Sequence, residues 1–184
     1  MPPHVVEPLL SEETVRQRVE SLAAELAQVL PVDPVVVGLF KGAFVFCADL
    51  ARALSRHGVA PELAFMVLSS YGKETQSSGR VRVALDCDHP LQGRVVLLLD
   101  DILDSGRTLD FAVKHLQAKG AARVISCVLL DKPERRQIPF EADFVGFSIP
   151  NVFVVGCGID YAEQHRELPF IGAVAFTSSG EIGR

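Results

Sequence analysis

The 184-residue chain has no apolar run approaching the ~18 residues that cross a bilayer, so no membrane-spanning helix is expected. Its opening stretch, MPPHVVEPLLSEETVRQRVE, lacks the basic start and apolar centre of a secretory signal, and the expected location is the cytoplasm. Acidic residues outnumber basic ones, 23 Asp and Glu against 18 Lys and Arg. The net charge is -5, which does not favour a nucleic-acid partner. The four cysteines, Cys47, Cys87, Cys127 and Cys157, lie far apart with no CxxC pair, which argues against a zinc site or a disulfide framework and leaves reduced, mostly buried thiols. The stretch DCDH, Asp86 to His89, falls between two strand-like runs and just before Pro90, so it reads as a polar turn rather than a metal site. No internal repeat, low-complexity segment or Pro/Gly/Ser-rich linker divides the chain, and residues 1–184 are read as one domain.

What is present is an alternation of helix-like and strand-like patterns. Ser11 can cap a helix with Glu12 and Glu13 in its first turn, and Val15, Val19, Leu22, Leu26 and Val29 follow at helical spacing until Pro31 and Pro34. Val35 to Leu39 reads as a buried strand, AFVFCADLARALSRHG as a helix closed by Gly58, and Leu63 to Leu68 as a second strand, completing a βαβ unit. The polar stretch Ser69 to Arg80 is too long for a tight hairpin and too poor in apolar residues for core, and is expected to be a mobile loop. Strands near Val81 to Leu85 and Val95 to Leu99, a helix from about Thr108 to Lys119 with Gly120 after it, and a strand Arg123 to Leu130 supply another βαβ unit. Short strands and loops make up the rest. The fold class is α/β.

The stretch LLLDDILDSGRTL, Leu97 to Leu109, carries the chemistry. In an open parallel sheet ligands bind beyond the carboxyl ends of the strands, where Asp100 and Asp101 are expected. Adjacent carboxylates repel, so a magnesium ion, a pair of sugar hydroxyls or a nearby cation must compensate them. Ser105, Gly106, Arg107 and Thr108 then turn into a helix N-terminus, whose unpaired N–H groups and dipole favour an anion such as phosphate. The GxxxxGK[ST] spacing of a Walker loop is absent. Ser105 or Thr108 acting as a plain helix cap is compatible with the same residues.

This stretch resembles the phosphoribosyl pyrophosphate motif of the type I phosphoribosyltransferases. LFKGAFVF, SSYG, LLDKPERR and ADFVGFSIPNVFVVGCGIDYAEQHRELPFIG extend the resemblance to the hypoxanthine-guanine phosphoribosyltransferases over nearly the whole chain from Val35. It implies an open, mostly parallel twisted sheet flanked by helices, with a small hood formed by terminal segments. It also implies transfer of 5-phosphoribosyl from phosphoribosyl pyrophosphate to a 6-oxopurine, with magnesium as cofactor, in a homodimer or homotetramer. On that resemblance Asp100 and Asp101 face the ribose hydroxyls and magnesium, while Ser105, Gly106, Arg107 and Thr108 bind the 5'-phosphate. Asp104 takes the proton from purine nitrogen 7. Lys132 donates to the oxygen on carbon 6, Phe153 stacks on the ring and the Val154 backbone bonds its edge. Lys41, Gly42 and Arg166 contact pyrophosphate, with a cis bond before Lys41, and Asp160 helps hold magnesium. Ser70 and Tyr71 belong to a closing lid.

The chain also departs from common members. Asp100 stands where many have glutamate, Ser105 and Arg107 replace frequent threonine and lysine, and Cys157 sits where tyrosine is common, which leaves affinity and purine preference open. A rival reading is an RNA-binding regulator on the same fold, resembling the pyrimidine attenuation proteins, with Arg16, Arg18, Arg52, Arg56, Arg135 and Arg136 available for a basic face.

Overall fold

The computed structural model describes residues 2–70 and 81–176. In chain order the elements are β1 (His4–Leu10), α1 (Glu12–Leu26), β2 (Val35–Phe40), α2 (Phe44–Arg56), β3 (Glu62–Ser70), β4 (Val81–Leu85) and β5 (Val95–Leu103). They continue with α3 (Arg107–Ala118), β6 (Arg123–Asp131), a 3₁₀ turn (Pro133–Arg135), β7 (Phe144–Ser148), β8 (Val154–Val155) and β9 (Ile171–Phe176).

β2, β5 and β6 are runs of Val, Leu and Ile buried on both faces, the pattern of inner strands in a covered parallel sheet. They occupy the inside of a six-stranded sheet ordered β4-β3-β2-β5-β6-β7, in which β4 alone runs antiparallel to its neighbour. Side chains alternate across each strand. Leu97 and Leu99 therefore join Leu22, Leu26, Phe46 and Leu50 of α1 and α2 on one face. Val96 and Leu98 meet Leu109, Ala112 and Leu116 of α3 on the other. Each of the buried Val, Leu and Phe side chains contributes about 1.5–3 kcal/mol by leaving water, which fixes the register of β5 and with it the residues at its carboxyl end.

A second, three-stranded antiparallel sheet ordered β1-β9-β8 joins the two ends of the chain, and is the hood of the expected fold. The details differ in three places. α1 stops at Leu26, and Gln28 and Val29 donate instead to the carbonyls of Glu25 and Leu26, so Val29 leaves the buried stripe and is exposed. β5 does not end at Leu99. Its partner β6 is equally long, and pairing continues through Asp100↔Val128 to Leu103↔Asp131. β3 runs on to Ser70, whereas Tyr71 and the rest of the expected lid lie outside the described residues.

The polar turn at Asp86 is tied to α3. Asp86 accepts hydrogen bonds from His115 and Lys119, both at 2.9 Å, while Cys87 is buried. All four cysteines are buried free thiols.

Candidate active site

Asp100 and Asp101 sit near the carboxyl end of β5, the first only 8% exposed. The Asp101 N–H donates to Asp100 Oδ1 at 3.0 Å, and the Ile102 N–H to Asp101 Oδ1 at 3.0 Å. Burial pushes both carboxyl pKa values up, and for Asp100 the negative charge of Asp101 adds to the effect. Neither forms an ion pair among the described residues. The pair is therefore short of positive charge. Across from it, Gly42 leaves room that a side chain would take, because a Cβ there would overlap the Asp101 carboxylate.

Beyond Leu103 the chain turns through Asp104, Ser105 and Gly106 into α3. Gly106 occupies the N-cap position at φ +87°, a left-handed conformation suited to glycine, and no side chain caps the helix. Ser105 Oγ stands 3.4 Å from the Arg107 N–H, at the limit of a hydrogen bond, and Thr108 makes no cap. Donors of the first turn thus stay available to an anion. A small cup of about 50 Å³ lies here, lined by Asp100, Leu103, Asp104, Ser105, Gly106 and Thr108 among others. The loop after β6 braces it. Ser105 O accepts from the N–H groups of Gln137 (3.1 Å) and Ile138 (3.3 Å), and Arg136 donates to the carbonyls of Leu103 and Asp104 while pairing with Asp131. Arg107 Nε donates to Gln137 Oε1 at 3.1 Å.

Beside the cup opens a cleft of about 410 Å³ lined by Asp104, Lys132, Arg135, Phe153, Val154 and Asp160 among others. Lys132 is 8% exposed, and burial lowers its pKa against the opposing pull of the Asp104 charge. Phe153 is 47% exposed, its ring set edge-to-face on Tyr161 with centroids 5.4 Å apart. The Phe153 carbonyl accepts from Val174 N–H at 2.8 Å, which anchors this wall to the hood. An exposed aromatic ring and a buried ammonium lining one cleft suit a flat ring bearing an oxo group.

The third part is cationic. The Phe40–Lys41 peptide at the end of β2 is cis, as the family resemblance implies. Lys41 Nζ reaches both carboxylate oxygens of Glu163 at 3.1 Å. Arg166 pairs with Asp160 (2.8 Å) and Glu163 (3.2 Å) and donates to the Gly158 carbonyl (2.8 Å), while its Nε is buried without a partner among the described residues. Asp160 Oδ2 in turn accepts from the Glu163 N–H at 2.8 Å. The Lys41 hydrogen bond, then that of Arg166, holds the Glu163 carboxyl below its ordinary pKa.

The sequence-predicted residues therefore fall into three adjoining groups: Asp100 and Asp101 with the cup, Asp104, Lys132, Phe153 and Val154 around the cleft, and Lys41, Gly42, Asp160 and Arg166 beside it. Ser70 closes β3. Glu163 and Tyr161 escaped the sequence reading, and Arg135 entered it only as a candidate for a basic face. Arg166 lies three positions beyond Glu163, and that acid-to-base spacing was the available signal. The six arginines weighed for a basic face are each paired with a carboxylate, namely Glu13, Glu25, Asp49, Glu20, Asp104 and Asp131 in chain order of the arginines.

A parallel sheet with an acid pair on β5, an uncapped glycine turn before α3 and a terminal hood together define a type I phosphoribosyltransferase, and the model of the phosphoribosyl transferase domain family matches residues 6–162. The hypoxanthine-guanine phosphoribosyltransferase of Bacillus subtilis (strain 168) is 42% identical over 167 residues, 90% of this chain and 91% of that protein. The hypoxanthine phosphoribosyltransferase of Escherichia coli (strain K12) is 40% identical over 174 residues, 93% of this chain and 96% of that one. The structure of the Trypanosoma cruzi hypoxanthine phosphoribosyltransferase in complex with the product IMP superimposes with a TM-score of 0.84 at 38% identity, covering 92% of this chain and 94% of that chain. The chain belongs to the hypoxanthine-guanine phosphoribosyltransferase family.

Proposed function

We propose that the protein transfers 5-phosphoribosyl from phosphoribosyl pyrophosphate to hypoxanthine, guanine or both, giving IMP or GMP and pyrophosphate in purine salvage. The observation that carries this reading is the cleft in which Lys132, Asp104 and Phe153 stand together beside the uncapped α3 turn. The turn takes the 5'-phosphate on its free N–H groups, and Asp100 and Asp101 take the ribose hydroxyls. Phe153 carries the purine, the Val154 backbone bonds its edge, and Lys132 donates to the oxygen on carbon 6, which an amino group at that position would not accept.

Purine nitrogen 9 then bonds to the anomeric carbon as the bond from that carbon to pyrophosphate breaks, and the proton on nitrogen 7 passes to Asp104. Lys41 and Arg166 stabilise the charge that collects on the departing pyrophosphate. Asp100, Asp101 and Asp160 are the residues that would hold magnesium, whose chemistry here is to neutralise ribose and pyrophosphate oxygens. The donor set fits: carboxylates are the hard oxygen ligands that magnesium takes, and Asp100 and Asp101 form no ion pair among the described residues. Ser70 and Tyr71 close over the site as a lid that excludes water. The protein works in the cytoplasm as a homodimer or homotetramer. No helix among the described residues is long and apolar enough to cross a membrane.

Asp104→Asn tests the reading. It keeps size and hydrogen bonding but cannot readily accept a proton. The single-turnover rate with hypoxanthine is expected to fall about 10²- to 10⁴-fold, with phosphoribosyl pyrophosphate affinity changed far less. A chemical step within about threefold of the parent, far below the range for a general base, returns Asp104 to a structural role.

A further inference from the structure

Asp104 is held by two arginines in different ways. Arg136 fixes its backbone through the carbonyl, which leaves only the side-chain torsions free. Arg135 acts on those: its Nε donates to Asp104 Oδ1 at 3.1 Å, and Oδ2 makes no hydrogen bond among the described residues. Arg135 can do this because Lys132 precedes the 3₁₀ turn Pro133–Arg135, with the Arg135 N–H donating to the Lys132 carbonyl at 3.0 Å. Residues three apart eclipse in a 3₁₀ turn, so Lys132 and Arg135 stand on one side of it. Both line the purine cleft.

Building on Asp104 as proton acceptor, we propose that Arg135 is a positioning residue for that reaction. It engages one carboxylate oxygen and leaves the other to meet the nitrogen 7 proton, while the same turn presents Lys132 to the oxygen on carbon 6. One turn thereby sets the spacing between the two groups that read this edge of the purine. The Arg135 and Asp104 side chains are 49% and 45% exposed, and a pair so wetted adds little to folding. Its value lies in selecting among the staggered rotamers of a carboxylate that otherwise has no side-chain partner.

The test is a double-mutant cycle of Arg135→Met and Asp104→Asn, with single-turnover rates and KM for both substrates measured in the full chain. Arg135→Met keeps the apolar stem and loses the donor. It is expected to slow the chemical step about two- to fivefold, the range that half-exposed ion pairs span, with KM for phosphoribosyl pyrophosphate unchanged. Arg135→Lys, which restores a cation, should recover most of that loss. In the Asp104→Asn background Arg135→Met should have no further effect. Equal losses in both backgrounds would mean that Arg135 acts by another route, and a faster Arg135→Met enzyme would mean that the pair restrains Asp104 rather than aiming it. Either result, or an unchanged rate, overturns the proposal. An Asp104→Asn enzyme of parental rate would instead remove the proton-acceptor reading on which it rests.

Discussion

Asp100→Asn should make the free protein more stable and the enzyme worse. Asp100 is buried and Asp101 half-buried on β5, neither in an ion pair among the described residues, and burial raises both carboxyl pKa values above the ordinary ~3.9. The folded state therefore holds protons that the unfolded chain has released. Stability from this source is full below the unfolded pKa and is lost as pH rises through the folded values. Asparagine removes one of the two charges while its Oδ1 can still accept the Asp101 N–H, and its amide can donate to the Asp101 carboxylate. Each tenfold by which burial hinders ionisation corresponds to about 1.4 kcal/mol, or roughly 3–5 °C in Tm for a chain of this size. Thermal unfolding of parent and variant from pH 5 to pH 9 (roughly the window above the unfolded carboxyl value) reads this directly. The parent should lose Tm with rising pH, and the variant should lose less and melt higher at the alkaline end. Calorimetry should find phosphoribosyl pyrophosphate bound about 10- to 150-fold more weakly, the loss of one charged hydrogen bond of about 1.5–3 kcal/mol. A variant less stable than the parent at the alkaline end would refute the picture of uncompensated charge, and parental affinity would remove Asp100 from the sugar site.

Lys132→Met should cost about 10- to 150-fold in kcat/KM for hypoxanthine and guanine, because a charged donor is lost, while thermal stability holds because a buried ammonium is replaced by an apolar stem. Parental specificity constants would show that the purine oxygen lies elsewhere. Glu163→Gln should tighten phosphoribosyl pyrophosphate binding about two- to fivefold at low salt, since the carboxylate that engages Lys41 and Arg166 loses its charge. The gain should shrink as salt is raised, and weaker binding would mean that Glu163 positions those cations instead of competing for them.

The central sheet was legible because its strands are runs of Val, Leu and Ile and its helices carry buried stripes that need no distant partner to be recognised. β1 was not. HVVEPLL is mostly exposed and includes Pro8, and it is a strand because β9 pairs with it from the far end of the chain, with the register shifting between Pro8 and Leu10. The site divides in the same way. Asp100, Asp101 and the glycine turn are neighbours in sequence, so their repulsion and their anion-binding geometry can be argued from adjacency. Glu163 lies 122 positions from Lys41 and Arg135 lies 31 from Asp104, and only the fold makes them pairs.

Those distant pairs explain why the acids are left without a cation although one is close at hand. Gly42 packs against the Asp101 carboxylate, and the residue before it is a lysine. Had Lys41 turned its ammonium to Asp101, the site would neutralise itself, and a substrate would have to break a buried ion pair to enter. Instead Lys41 reaches out to Glu163, where both side chains are 66% exposed and the pair is weak. The acids stay without a cation while Lys41 is held by a carboxylate that water screens. A ligand that displaces Glu163 with phosphate oxygens, and meets the acids with hydroxyls and a divalent ion, relieves both conditions in one step. Phosphoribosyl pyrophosphate with magnesium carries all of those groups. Hypoxanthine alone carries none of them, so in the proposed reading the sugar substrate binds first, and Asp100→Asn should weaken its binding without altering how Phe153 and Lys132 receive the purine.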